Sequence, residues 1–253
     1  MDSYTGFAPL YDLFMDNIPY EEWSSYLIDL LKENNIDEGI VLELGCGTGN
    51  ITGYLSKAGY DMIGIDNSDE MLGIALEKKY DEELDILYLN QDMRDFELYG
   101  TVAAVVSICD SLNYITEYND LVKVFKLVNN YLDPKGLFIF DLNTIYKYAE
   151  MGDCVIAENR TEGSFIWENS YFEDKHINQY DLTIFSKIED NANDNLYEKF
   201  EEPHVQRAYS LDEIKSALAD SGLSFITAYD AFTHNPINEK SERIYVIAME
   251  NGK

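Results

Sequence analysis

The sequence predicts an α/β protein: a doubly wound, seven-stranded, mostly parallel sheet with a small antiparallel β insertion. Three observations carry this expectation. Short, near-continuous apolar runs alternate with helical patterns, as in a parallel sheet covered on both faces. A glycine-rich turn joins the first of these runs directly to a helix. Between about residues 152 and 209 the apolar period shortens to two, which marks antiparallel strands. At 253 residues the chain has room for one such domain and an insertion. The expected division is 1–151 with 210–253 as the main domain and 152–209 as the insertion.

Residues 1–19 are dense in aromatics, with Tyr4, Phe7, Tyr11 and Phe14 alongside Pro9 and Pro19. Tyr20, Trp23, Leu27, Leu30 and Leu31 then give one apolar helical face that stops before Asn34 and Asn35. Residues 40–44 read as a buried strand. Ile51, Tyr54, Leu55 and Ala58 mark the helix beyond the glycine turn, ended by Gly59. Residues 60–66 form the second strand. Ser68 suits an N-cap, with Asp69 and Glu70 favourable in the first turn of the next helix. Residues 86–90 and 101–109 supply the third and fourth strands. Leu121, Val124, Phe125 and Val128 mark a helix face, 133–136 a turn, and 137–141 the fifth strand.

In the insertion, residues 164–172, 176–188 and 196–206 read as a meander. Tyr180, Leu182, Ile184 and Ile188 alternate with Asp181, Thr183 and Lys187, and 190–195 form a turn. Ser210-Leu-Asp-Glu213 is a capping box opening a helix that Gly222 ends. Residues 223–229 and 243–249 complete the seven strands.

The formal net charge is −30, from 48 acidic against 18 basic residues. Phosphate binding rests on Lys and Arg, so no nucleic acid is expected as a partner. The plain reading is a solubilising surface. No apolar run approaches the eighteen or so residues of a membrane span. The acidic amino terminus lacks a signal-peptide pattern, so a cytoplasmic protein without a membrane partner is expected. Cys46, Cys109 and Cys154 form no C-x-x-C pair and no cluster with histidine. Such a set suits a reducing compartment, and small apolar filling is the expected role rather than catalysis or metal binding. A monomer and a homodimer are both compatible with the sequence.

The organising stretch is Ile40-Val-Leu-Glu-Leu-Gly-Cys-Gly-Thr-Gly-Asn50. Glycines there open dihedrals closed to other residues and let a ligand approach bare backbone. A dinucleotide fingerprint, G-x-G-x-x-G, needs its third glycine at Asn50; here it stands one residue early, at Gly49. Glu-Leu-Gly-Cys-Gly-Thr-Gly closely resembles the first motif of class I S-adenosylmethionine-dependent methyltransferases, a Rossmann-like fold. The resemblance implies that Glu43, Gly45, Cys46, Gly47 and Gly49 surround the methionine part of S-adenosylmethionine.

Asp66 ends the second strand, where a carboxylate can accept from both ribose hydroxyls or simply be solvated. The resemblance adds Asn67 and Met71 as cofactor contacts. It also implies an adenine site at Gln91-Asp92-Met93, with Asp92 on the exocyclic amine and Met93 on the ring face. Ala8-Pro-Leu-Tyr-Asp-Leu-Phe-Met15 resembles the family's N-terminal lid, in which Tyr11, helped by Trp23, meets the methionine carboxylate or sulfonium. Core packing is the alternative for both aromatics.

Cys109-Asp-Ser-Leu-Asn-Tyr114 resembles the segment facing the transferable methyl in small-molecule N-methyltransferases. Asp110 would orient an amine, while Ser111 and Asn113 shape the wall; caps for the following segment are the alternative. The insertion's position resembles amino-sugar N,N-dimethyltransferases, and Glu201-Glu-Pro-His-Val-Gln-Arg-Ala-Tyr209 resembles a segment they place near the acceptor. His204 and Arg207 become candidate contacts. Three apart on a strand, they face opposite ways unless Pro203 bends the chain, and a surface role stays open for both. His176 and His234 read as solvated.

The expected activity is methyl transfer to a small-molecule acceptor, at an amine nitrogen, with Asp110, Asn113 and His204 as catalytic candidates. A cofactor-binding regulator without turnover, a methyltransferase of peptides or proteins, and a dehydrogenase are the alternatives.

Overall fold

A computed structural model describes residues 7–188 and 196–253. Tyr4 and the turn expected at 190–195 lie outside the described residues. Seven strands form one sheet: β1 (Ile40–Leu44), β2 (Asp61–Asp66), β3 (Ile86–Asn90), β4 (Val102–Ser107), β5 (Leu132–Asn143), β10 (Leu223–Asp230) and β11 (Arg243–Glu250). Their order is β10-β11-β5-β4-β1-β2-β3. Only β11 opposes the rest, pairing antiparallel with both β5 and β10. The expected sheet is present.

Alternation along the buried strands divides the core. Val41, Ala104, Val106, Leu137 and Ile139 pack with Leu27, Leu30 and Leu31 of α2 (Tyr20–Glu33) and with Ile51 and Leu55 of α3 (Asn50–Lys57). Leu42, Leu44, Val105, Phe138 and Phe140 pack on the other side with α5 (Tyr118–Tyr131) and α7 (Leu211–Ser221). Ser68 caps α4 (Asp69–Asp81) by accepting from the Met71 N–H at 3.2 Å. The capping box at Ser210 and Glu213 is complete, and Gly222 ends its helix at φ +84°.

A second, separate sheet is antiparallel: β6 (Cys154–Asn159), β7 (Gly163–Phe172), β8 (Ile177–Lys187) and β9 (Tyr197–Arg207), in that order. Tyr180, Leu182 and Ile184 are buried as the alternation requires, whereas Ile188 lies past the strand end and is exposed. Strand β6 was not foreseen. It is an edge strand whose Val155, Ile156 and Ala157 are all exposed, so it carries no period of two. The short helices α1 (Ala8–Phe14) and α6 (Ile145–Met151) are likewise additions. The turn expected at 133–136 is a bulge inside β5: Leu132 pairs with Val102, but the next pair is Leu137 with Ala104.

Phe7 at the N-cap of α1, with Leu10 and Phe14 of the helix, packs on Phe165, Leu182 and Ile184 of the second sheet. Among the described residues, no helix is long and apolar enough to cross a membrane.

Candidate active site

The corner after β1 is built from backbone. Gly45, Gly47 and Gly49 adopt φ of +71°, +53° and +77°, a region that favours glycine. The N–H groups of Gly45 and Cys46 donate to the Ile65 carbonyl at 2.8 and 3.0 Å. The Gly47 N–H donates to Asp66 Oδ2 at 2.8 Å, and the Ser68 N–H to Oδ1 at 2.9 Å. The three glycines have different neighbours. A Cβ on Gly45 would lie 2.7 Å from the Ser111 side chain, and one on Gly49 would overlap the Tyr88 hydroxyl. A Cβ on Gly47 would meet nothing within 4 Å. Gly49 therefore serves packing and lies off the cavity, a correction to the sequence reading; Gly47 is the bare backbone that faces open space.

That space is a cavity of about 340 Å³ lined by Gly45, Cys46, Gly47, Asp66, Asn67, Met71, Asp92 and Met93, among others. Burial pushes the Asp66 carboxyl up, against the pull of the loop N–H groups. Asp92 is gripped by Arg94, whose Nε donates at 2.9 and 3.0 Å and whose guanidinium pairs at 2.5 Å, which lowers its pKa. Glu43 is buried under the corner and accepts from the Thr52 hydroxyl; burial pushes its carboxyl up to about 8. Burial also pushes the Cys46 and Cys109 thiols up, as suits inert fillers rather than nucleophiles. Helix α1 is tied to the corner through Asp12. Its Oδ1 accepts from Thr48 Oγ1 and Asn50 Nδ2, both at 2.8 Å, and its Oδ2 pairs with Lys78 at 2.6 Å.

A second cavity of about 180 Å³ lies between the main sheet and the insertion. Tyr11, Tyr20, Cys109 and Tyr114 line both cavities and form the wall between them. Cys109 and Asp110 are left-handed, at φ +60° and +54°, with N–H groups donating to Asp141 at 3.2 and 2.8 Å. Arg243 joins the two acids, bonding to Asp141 and reaching Asp110 Oδ1 at 2.6 Å. Gln206 Nε2 donates to the other Asp110 oxygen at 2.7 Å while its own Oε1 accepts from Tyr148 at 2.8 Å.

Two of the sequence-derived candidates change place. Trp23 lines the second cavity rather than the first, stacked on Phe232 at 4.8 Å under the Arg243 guanidinium. Asn113 lines neither. It is fully buried, and its amide donates to the Asn143 and Arg207 carbonyls at 3.1 and 2.9 Å while accepting from the Asn143 N–H. It is a staple between strand ends, not a wall of the site. His204 and Arg207 do face opposite ways: His204 lines the second cavity, and Arg207 turns to Glu213 at 2.8 Å and the Thr116 carbonyl. His234 is exposed beside Glu33 at 3.0 Å, and His176 occupies a left-handed turn.

Sequence reasoning passed over Tyr20, Tyr114, Asp141, Lys147, Gln206 and Arg243. A usable signal existed for two of them, since a charged residue ending an apolar strand at the carboxyl edge is suspect, as is one starting a strand that runs the other way.

A family model described as "Methyltransferase domain" matches residues 41–136. The chain is 34% identical over 250 residues to YqeM of Bacillus subtilis (strain 168), whose name places it among methyltransferases and gives no substrate; the match covers 98% of this chain and 97% of that protein. A crystal structure of an S-adenosylmethionine-dependent methyltransferase from Clostridium acetobutylicum ATCC 824 superposes with a TM-score of 0.86 at 29% identity, covering 99% of this chain and 100% of that one. A Streptomyces venezuelae protein, dTDP-3-amino-3,4,6-trideoxy-alpha-D-glucopyranose N,N-dimethyltransferase, is 29% identical over 136 residues, 53% of this chain and 56% of its own.

Proposed function

The chain belongs to the S-adenosylmethionine-dependent methyltransferases, and from that premise we propose that its acceptor is a small molecule methylated at an amine nitrogen. The observation that carries this reading is the pair of cavities meeting at Tyr11, Tyr20, Cys109 and Tyr114.

The first cavity fits the cofactor. Gly47 offers backbone that no side chain covers, and Asp66 keeps lone pairs for ribose hydroxyls beyond its two loop contacts. Asp92 and Met93 would flank the adenine, and Gly45 to Gly47 would border the methionine part. When bound, S-adenosylmethionine supplies a methyl group on a positively charged sulfur, with a neutral thioether as leaving group. The chain's task is then to hold the acceptor nitrogen in line with that methyl, which can supply most of the rate. The lid and the insertion exclude water, and an unsolvated amine is the better nucleophile. The amine must be neutral to attack, so a proton must leave the site in each cycle.

The second cavity suits a small amine. Its walls include Tyr20, Trp23, Tyr148, Trp167 and Tyr180, faces that attract nitrogen carrying positive charge. Residues 152–209 roof it, which is the role we assign to the insertion. An amino-sugar acceptor is consistent with the name of the Streptomyces relative. The test is a screen of amines, amino sugars, small acids and peptides, with S-adenosylhomocysteine formation as the readout. Turnover of amines is expected; turnover confined to acids or to peptides would sink the proposal.

A further inference from the structure

Asp110 is the carboxylate that sequence puts nearest the transferred methyl, yet both its oxygens are committed, one to Arg243 and one to Gln206. Another set of groups reaches the wall between the cavities. Glu202 and His204 stand two apart on β9, so they share its inward face, and they are 4% and 1% exposed. Glu202 Oε2 lies 3.5 Å from His204 Nε2, and His204 Nδ1 lies 3.1 Å from the Tyr114 hydroxyl. Tyr114 borders both cavities. The Tyr180 ring lies parallel to the imidazole at 4.8 Å and fixes its plane, while the Tyr180 hydroxyl stands 2.5 Å from that of Tyr114. Glu202 Oε1 also accepts from the Phe7 N–H at 3.0 Å, where the lid begins.

We propose that Tyr114 is the catalytic proton acceptor for the methylated nitrogen, with His204 and Glu202 as the residues that position it and hold its proton. The inference rests on the amine reading above. As the N–C bond forms and the C–S bond breaks, the electron pair of the broken bond stays on the departing sulfur and the nitrogen becomes cationic. Its proton passes to the Tyr114 oxygen while the phenol's own proton passes to His204 Nδ1. The resulting imidazolium faces the Glu202 carboxylate, so charge and atoms balance without a further reactant. Among the described residues, the titratable groups facing His204 are Glu202 on its own strand, Tyr180 from β8 and Tyr114. Across the second cavity stand Asp110, Lys147, Tyr148 and Arg243.

Two measurements test this. The first needs no acceptor: ¹⁵N NMR of histidine-labelled protein with S-adenosylhomocysteine bound. His204 is expected as the Nε2–H tautomer with Nδ1 bare, and an Nδ1–H tautomer would overturn the relay. The second uses whichever of glucosamine, tyramine and salicylate the wild type methylates fastest. Tyr114→Phe should lower kcat about 100-fold, the usual worth of a proton-transfer group, with KM and S-adenosylhomocysteine affinity within about twofold. His204→Gln should lose as much, while His204→Asn, whose amide oxygen can stand where Nδ1 stood, should recover part of it. Tyr114→Phe at wild-type kcat would overturn the relay. Methylation of salicylate alone would overturn the amine reading instead, and the same variants would then judge the relay on that acceptor.

Discussion

Gly47 and Gly49 share one motif and one backbone region, yet they answer to different neighbours: open cavity at the first, the Tyr88 hydroxyl at the second. Single residues in this site are defined by what they touch, and two predictions belong at that scale. Asp66 accepts from the Gly47 and Ser68 N–H groups and lines the first cavity, where we propose that it meets the ribose. Asp66→Ala should weaken S-adenosylmethionine binding by about 1–3 kcal/mol in calorimetry, as for a lost charged hydrogen bond; unchanged affinity would place the ribose contact elsewhere. Glu43 gives a pH signature. Its carboxyl ordinarily titrates near 4.5 and burial raises it to about 8. Between those values the folded chain keeps a proton that the unfolded chain has released, so this group's contribution to stability falls as pH rises through that window. Denaturant unfolding at about pH 5 and pH 8 should show wild type losing a few kcal/mol relative to Glu43→Gln. Parallel curves would mean that Glu43 is charged in the fold.

At the scale of elements, α1 bridges the insertion and the corner after β1, and for that reason we propose it as the lid over the cofactor. One side docks on the insertion through Phe7, Leu10 and Phe14, helped by the Arg160–Asp16 pair at 2.6 Å. The other side is latched to the corner and to α4 by Asp12. The Asp12–Lys78 pair is about one-third exposed at each end, so solvent screens it and it is worth no more than about 1 kcal/mol. Asp12→Asn should therefore weaken cofactor binding up to about fivefold, more at low salt than at high, and leave Tm nearly unchanged. A large loss of Tm would make α1 part of the core instead of a lid. Asp12 and Lys78 lie 66 positions apart on different helices, and no local pattern joins them. Strand β6 and helix α6 were illegible for a different reason: an exposed edge strand and a two-turn helix bury too little to impose a period.

For the whole molecule, 48 acidic residues against 18 basic ones set up self-repulsion that folding must overcome. Salt at about 0.5 M shortens the reach of these charges well below that at about 20 mM. Tm should therefore rise by several degrees between those conditions, read by calorimetry; a fall would mean that attractive pairs outweigh the repulsion. The second cavity, where we propose that the acceptor binds, depends on the molecule as a unit. It draws Asp110 and Tyr114 from the turn after β4, His204 and Gln206 from the insertion, and Arg243 from the start of β11. Because β11 runs against its neighbours, its first residue reaches the edge where the parallel strands end.

The amino-acid sequence by itself determined the sheet, its insertion and the cofactor corner, since each is written in contiguous residues: an apolar period, a capping residue, glycines where φ is positive. It also set His204 and Arg207 on opposite faces, because alternation along a strand is local. Only the tertiary structure decided which polar groups meet. Arg243 reaches Asp110 across 133 positions and Tyr114 reaches His204 across 90, and such meetings depend on strand order and register. That is why Asn113 became a staple, Trp23 moved to the second cavity and Asp110 ended in an ion pair: hydrogen-bond partners are chosen by distance in space, about which a short stretch of chain carries no information.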